Sequence, residues 1–259
     1  MLAQQSIEGF SYPPVFHVRR SFTIRTIMEF CCLSAGANHF SVEERCSLFC
    51  RIMKMFIYFS GQFPDLSLLD PPQNGLDRGP HLKHLHPKLV KFIQSVVEIE
   101  SHLLISKSES IVYFLIMIGG LPSNPKRALL VDLSHFYPNT ANASTVNASI
   151  FRELFESLIQ SPFFNNVFKC YTPTQTYVYI CASKDFSSSW FLPRLQFRLP
   201  QTCPVYVLKV VPDIAMSSEE SNQTENSLSS QKLRRALYEL PSELRWYASP
   251  LVLVGVKPI

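Results

Sequence analysis

Asp132 is the first residue whose type and position could support chemistry. It ends the apolar run "RALLVD", and Ser134 and Phe136 follow at alternate positions. Ligands and catalytic groups in open α/β sheets collect at the carboxyl ends of strands. A metal site of the Asp-x-Ser-x-Ser type needs a hydroxyl where Phe136 stands, and a phosphotransfer site needs a second aspartate where Ser134 stands. Since both patterns are incomplete, we expect Asp132 to end a strand and to cap a loop amide or face water.

The segment "HLKHLH" contains three imidazoles, those of His81, His84 and His86. Catalytic zinc sites use three protein ligands, and imidazole is a common one. However, the spacing of three and then two residues, directly before Pro87, fits a turn that enters a helix better than a single ligand face. We therefore predict no metal and no cofactor. Together with Asp132, these histidines are the candidate ligands of a divergent metal-dependent hydrolase.

Sequence motifs that would indicate an enzyme are missing. Nucleotide sites need glycines so that backbone amides approach phosphate, yet the chain has only eight glycines and neither a G-x-G-x-x-G nor a G-x-x-x-x-G-K-[ST] sequence. A G-x-S-x-G nucleophile motif is also absent. The cysteines number seven, an odd count, and most lie in apolar patterns, which favours reduced thiols in an intracellular protein. We therefore predict a protein that is not an enzyme.

The overall composition favours a partner protein. Charged residues are 17% of the chain and hydrophobic residues 46%, so the polar surface is smaller than in an average domain. Such a chain is expected to bury part of its surface in another protein. The longest apolar run, residues 111–121, is about half of what a membrane-spanning helix needs, so we predict a buried strand and no membrane.

Nucleic acid is a second class of partner to weigh. Aromatic residues are 12% of the chain and could provide stacking platforms, but most lie in apolar runs typical of a core. The net charge of +4 is too small to argue for nucleic acid by itself. The candidate contacts for weak or indirect DNA binding are basic residues of the first predicted strand and the last predicted helix: Arg19, Arg20, Arg25, Lys232, Arg234 and Arg235.

Periodicity along the chain predicts a mixed sheet flanked by about four helices, of the α/β or α+β class. Residues 14–27 alternate as a half-exposed strand. Ser41 and Glu44 form a capping box for a helix that should end at Gly61, and a second helix should begin at Pro87. Residues 110–119, 128–134, 176–183 and 203–211 read as strands. Residues 149–160 read as an amphipathic helix whose inward side chains are Ile150, Leu154, Phe155 and Leu158.

The chain divides into three predicted parts. Residues 1–215 form a mixed α/β domain with a candidate joint at 62–80, a stretch rich in Pro, Gly and Asp. Residues 216–231, "MSSEESNQTENSLSSQ", are a low-complexity insert predicted to be disordered, with Ser217 as a candidate phosphorylation site ahead of acidic residues. Residues 232–259 return as a helix and a strand to the same domain.

The leading functional interpretation is a non-catalytic intracellular subunit or adaptor that binds one or more proteins in a larger complex. The first alternative is a chromosome-associated accessory subunit that supports DNA recombination or repair, like a degenerate topoisomerase subunit. The second is the divergent hydrolase described above. The location is expected to be the nucleus or the cytoplasm, with the nucleus favoured.

Overall fold

The computed structural model of this chain describes residues 28–35, 40–69, 84–105, 111–136, 148–212 and 240–257. Within them lie four α-helices and eight β-strands. The helices are α1 (Val42–Phe59), α2 (Pro87–Ile105), α3 (Ala148–Gln160) and α4 (Pro162–Val167). The strands are β1 (Met28–Ser34), β2 (Ile111–Gly119), β3 (Arg127–Asp132), β4 (Gln175–Ser183), β5 (Leu192–Arg194), β6 (Val205–Val211), β7 (Leu244–Ala248) and β8 (Leu253–Val254).

A single mixed sheet contains all of these strands. Its order is β1-β6-β3-β2-β4-β7-β5, and β8 pairs with β4 as well. Strand β6 runs parallel to both of its neighbours, β1 and β3, while the other pairs are antiparallel. Every residue of the central strands β2 and β3 is buried, which explains why both read as continuous apolar runs. The predicted mixed α/β fold is confirmed.

Local sequence signals set the limits of α1. The Ser41 side chain accepts a hydrogen bond from the Glu44 amide, and the Glu44 carboxylate accepts one from the Ser41 amide, so the predicted capping box is present. The helix is followed by Gly61, whose φ of 71° lies in the left-handed region. A Cβ at Gly61 would lie 2.5 Å from Cys170 Sγ, so the turn needs glycine for space as well as for conformation.

The helices pack on one face of the sheet. Alternate residues of the central strands, including Phe114 and Val131, point into this helical core, where Phe49 of α1 stacks on Phe114 at 4.2 Å between ring centroids. Phe63 after α1 stacks on Phe92 of α2 at 4.8 Å. These aromatic contacts join α1, α2 and the sheet into one apolar layer.

The opposite face of the sheet carries a second core. Tyr113, Leu115 and Leu130 belong to it, with Trp246 at its β7 side. Among the described residues, the loop between β5 and β6 covers part of this face through Leu199 and Cys203, and Phe197 packs against it. The loop is therefore held against the sheet by apolar contacts while its polar residues remain outside.

Several parts of the chain differ from, or lie beyond, the predicted elements. Strands β1, β5 and β7 and the short helix α4 have no counterpart in the sequence prediction. The predicted strand at 14–27, the insert at 216–231 and most of the helix predicted after it lie outside the described residues. Of the predicted joint at 62–80, the structure describes residues 62–69, where a short 3-10 turn spans Leu66–Leu68.

Candidate functional site

The helix side presents an apolar surface formed by α1, α3 and α4. On α3, Phe151, Leu154 and Leu158 are buried, whereas Phe155 is half-buried and Ile159, one turn later, is 50% exposed. The apolar stripe of this helix is thus wider than its buried contact, and it continues onto the surface. We call the following set the helical apolar surface: Met55, Tyr58, Phe59, Phe155, Ile159 and Phe164, all half-buried or exposed.

Aromatic contacts hold the helical apolar surface in place. Phe59 at the end of α1 meets Phe164 of α4 with ring centroids 5.1 Å apart, and Phe168 packs against both rings. Nearby, the Arg51 guanidinium of α1 lies 5.4 Å from the ring centroid of Phe151. Since these rings are fixed by the core beneath them, the surface is rigid and needs little ordering when a partner binds.

Strand β1, at one end of the described sheet, lies beside this surface. Among the described residues β1 pairs with β6 alone. The Asn166 side chain of α4 donates a hydrogen bond of 2.9 Å to the Glu29 carboxylate of β1. Helix α4 is thereby fixed beside the edge strand, and a partner on the helical apolar surface would meet both.

A buried arginine anchors the end of α4 to the sheet. Arg127, the first residue of β3, is 2% exposed and its Nη1 donates to the carbonyl of Val167. Its guanidinium lies between two rings, 4.7 Å from the centroid of Tyr171 and 5.0 Å from that of Tyr206. No described carboxylate forms an ion pair with it, so the two tyrosine faces supply its electrostatic stabilisation.

A different surface lies near the β5 end of the sheet. The loop after β5 and the turn between β2 and β3 enclose a groove of about 850 Å³, lined in part by Pro122, Tyr179 and Leu195. A smaller chamber of about 320 Å³ adjoins it and shares Arg194, Leu195, Phe197 and Arg198. We call the two together the basic groove.

Four cations line the basic groove: Lys184, Arg194, Arg198 and Arg245. Among the described residues no acidic side chain lines it, and none of the four cations forms an ion pair with another residue in that part of the chain. An aromatic row forms its floor, with Tyr179 stacked on Phe197 at 4.5 Å and Phe197 against Trp246 at 5.5 Å. Burial raises the pKa of the Tyr179 hydroxyl, and the positive charge of Arg194 opposes that rise.

Asp132 occupies the strand end where the sequence places it. It is fully buried at the end of β3, and its Oδ1 accepts a hydrogen bond of 2.9 Å from the Ser134 amide. In the sheet it is paired with Tyr113 on β2 and Lys209 on β6. The described part of the chain contains no group of three or more His, Cys, Asp or Glu side chains that could hold a metal.

Two of the three candidate histidines are described. His84 and His86 lie in the turn before α2, and His86 Nδ1 accepts a hydrogen bond of 3.3 Å from the Lys88 amide. His86 therefore caps the start of α2. Other predicted positions lie outside the described residues, namely His81, Arg19, Arg20, Arg25, Ser217, Lys232, Arg234 and Arg235.

Sequence reasoning missed both the helical apolar surface and the basic groove. The segment "FLPRLQFRLP", residues 191–200, alternates arginine with apolar residues and prolines, which is a signal for an exposed basic edge. Phe155 was predicted to point inward with Leu154 and Leu158, although it lies at the margin of the buried stripe. Both surfaces combine residues that are distant in the sequence, so their geometry needed the fold.

Comparison with known proteins points to one family. No curated protein matches the chain. No described helix is both long and apolar enough to cross a membrane. The sequence profile described as p31comet, Mad1 and Cdc20-bound-Mad2 binding, matches residues 35–211, which is more than half of the chain. That description supports the predicted protein-binding adaptor and gives no support to DNA recombination or hydrolysis. The chain belongs to the p31comet family.

Proposed function

We propose that this chain is a non-catalytic adaptor that binds Mad2 in its Cdc20-bound state. The observation that carries the proposal is the family match, because residues 35–211 include every residue of the helical apolar surface. The description of the family names Mad1 and Cdc20-bound Mad2 as what its members bind. We assign this binding to the helical apolar surface.

The chemistry of the helical apolar surface suits a protein partner. Aromatic side chains dominate the energetic centres of protein interfaces, and this surface presents Tyr58, Phe59, Phe155 and Phe164 on a rigid base. Around it, Arg152 and Glu156 form an exposed ion pair of 3.6 Å on α3, which supplies the polar rim that such interfaces have. An apolar centre inside a charged rim favours one partner in one orientation.

Binding of the purified chain to Mad2 tests the proposal. Isothermal titration calorimetry would compare Mad2 loaded with a Cdc20 segment with Mad2 alone, and we expect clearly tighter binding to the loaded form. In Ile159→Asp, a carboxylate would be desolvated at the centre of the interface, so affinity should fall at least tenfold.

A matched variant controls for the charge introduced. Ile105 at the end of α2 is 73% exposed and lies outside the helical apolar surface, so Ile105→Asp should leave the affinity within a factor of two. If the wild-type chain bound neither form of Mad2, the proposed function would be wrong. If both variants bound like wild type, the assignment to this surface would fail while the function would stand.

A further inference from the structure

The basic groove plays no part in the proposed Mad2 contact. Its four cations favour binding of an anionic segment. We propose that the acidic insert of this same chain, residues 216–231, binds in the basic groove. This inference does not depend on the proposed Mad2 binding. The groove supplies the cations and the insert supplies the carboxylates, within one molecule.

The charges of the two segments are complementary. The insert contains Glu219, Glu220 and Glu225 and no lysine or arginine. The groove contains four cations, which no described carboxylate neutralises. Exposed charges interact over a Debye length of about 8 Å at physiological ionic strength, so an acidic segment held close by would be attracted to these cations.

The connectivity of the chain brings the insert to the groove. The chain leaves the described residues after Pro212 and re-enters at Leu240, which itself lines the smaller chamber of the groove. Glu225 precedes Leu240 by fifteen residues, a length that spans up to ~50 Å when extended. A tether of this length gives an effective concentration on the order of millimolar, so even a modest intrinsic affinity is enough.

Apolar contacts would add to the charge attraction. Leu195, at the junction of the two chambers, is 74% exposed, and Phe197 is half-buried on the floor. The insert carries Met216 before its first glutamate and Leu228 after its last. An extended segment can therefore place glutamates against arginines and an apolar side chain against Leu195.

The residues between the insert and Leu240 argue for a specific contact. Lys232, Arg234 and Arg235 follow the insert directly and repel the four groove cations. The carboxylates of the insert are those of Glu219, Glu220 and Glu225, and the connection has two more, Asp213 and Glu239, at its ends. Contact through the insert therefore differs from a nonspecific collapse of the connection, which would also bring its basic residues to the groove.

Phosphorylation of Ser217 would change the strength of the contact between the insert and the groove. A phosphate on Ser217 would add about −1.5 to −2 charge two residues before Glu219 and offer oxygens for bidentate arginine contacts. The predicted modification would therefore strengthen the intramolecular contact and reduce access of other anionic segments to the groove.

Zero-length carbodiimide cross-linking of the full-length chain tests the proposal, because it joins a lysine only to a carboxylate in direct contact. Mass spectrometry should find Lys184 joined to Glu219, Glu220 or Glu225. The yield should fall at least fivefold at high salt and in Arg194→Glu/Arg198→Glu, whose melting temperature is measured in parallel. Lys91, exposed on α2, is the matched control and should form none of these links.

Competitors identify the occupant. A synthetic peptide of residues 216–231 should displace the cross-link, and the version with phosphoserine at 217 should do so at a several-fold lower concentration. The proposal is overturned if Lys184 forms no cross-link to the insert. It is also overturned if the cross-link yield changes neither with salt nor in Arg194→Glu/Arg198→Glu. It is also overturned if the links appear only between chains and vanish on dilution, or if single-stranded DNA displaces them more effectively than the phosphopeptide does.

Discussion

The helical apolar surface and the basic groove lie on different parts of one sheet and are built by opposite means. The former is the margin of the core, since Phe155 and Phe164 have one side packed inside and the other at the surface. In the groove, by contrast, Arg194 and Arg198 are exposed and lie on short connecting segments above an aromatic floor. Substitutions on the helix side should therefore change stability as well as binding, whereas the groove cations should affect binding alone.

The largest expected effect comes from the buried ion pair that joins α1 to α2 on the helix side of the sheet. Lys54 of α1 and Glu100 of α2 are 2.7 Å apart and both side chains are largely buried. Lys54→Met would remove the cation that lies 2.7 Å from the largely buried Glu100 carboxylate, so the free energy of unfolding should fall by up to about 3–5 kcal/mol. Urea denaturation measures this loss.

A double variant controls for the volume change. Lys54→Met/Glu100→Leu removes both charges and should recover much of the stability, since replacing a buried pair by apolar residues is often neutral. If the single variant lost less than 1 kcal/mol, the helix layer would not depend on this pair, and the contrast with the groove would weaken.

The prediction for α1 shows how much of this layer local sequence could reveal. Its capping box and its Gly61 terminus are signals within a few residues, and both were predicted correctly. Phe155 was predicted to point inward, and it does pack against the core while half-buried, because periodicity gives the direction of a side chain but not how much of it is covered.

The groove was beyond prediction for a different reason. Its four cations come from the end of β4, the β5 segment and β7, which meet only through antiparallel pairing of β7 with both β4 and β5. Strand β5 has three residues and contains Pro193, so its sequence lacks a strand signal. Tertiary pairing created this site, and single-sequence patterns do not specify such pairing.

The next largest effect is a loss of folding stability at alkaline pH, and it comes from a buried thiol on the helix side. Burial raises the pKa of the Cys46 thiol of α1 to about 11 from a model-peptide value of 9.0. Above pH 9 the unfolded chain loses this proton while the folded chain keeps it, so stability is intact below pH 9 and declines as pH rises toward 11. The loss from this thiol should reach about 2 kcal/mol.

Urea denaturation at a series of pH values between 8 and 11 measures this decline. In Cys46→Ala the free energy of unfolding should decline less steeply with pH than in the wild type. Cys32→Ala, which removes an exposed thiol on β1, should leave the slope of this decline unchanged. Equal slopes in all three proteins would mean that burial of Cys46 does not contribute to the alkaline loss.

A smaller effect is expected where α1 ends. Gly61→Ala would place a methyl group 2.5 Å from Cys170 Sγ at a positive φ, so we expect a loss of roughly 1–2 kcal/mol in the free energy of unfolding. Because this turn positions Tyr58 and Phe59, Mad2 affinity should fall with stability. Gly120→Ala is the matched control, since no atom lies within 4 Å of a Cβ there. A stable Gly61→Ala protein would contradict the tight packing of this turn.

The smallest stability effect should be that of Arg198→Ala in the groove. The Arg198 side chain is exposed and pairs with no described carboxylate, so the free energy of unfolding should change by no more than about 0.5 kcal/mol. The same substitution should nevertheless reduce the affinity of the phosphorylated 216–231 peptide and its dependence on salt, because one cation fewer faces the phosphate. Fluorescence anisotropy across a salt series measures both. A large loss of stability in Arg198→Ala would show that the groove cations support the fold itself, and the distinction between a structural surface and a purely electrostatic one would no longer hold.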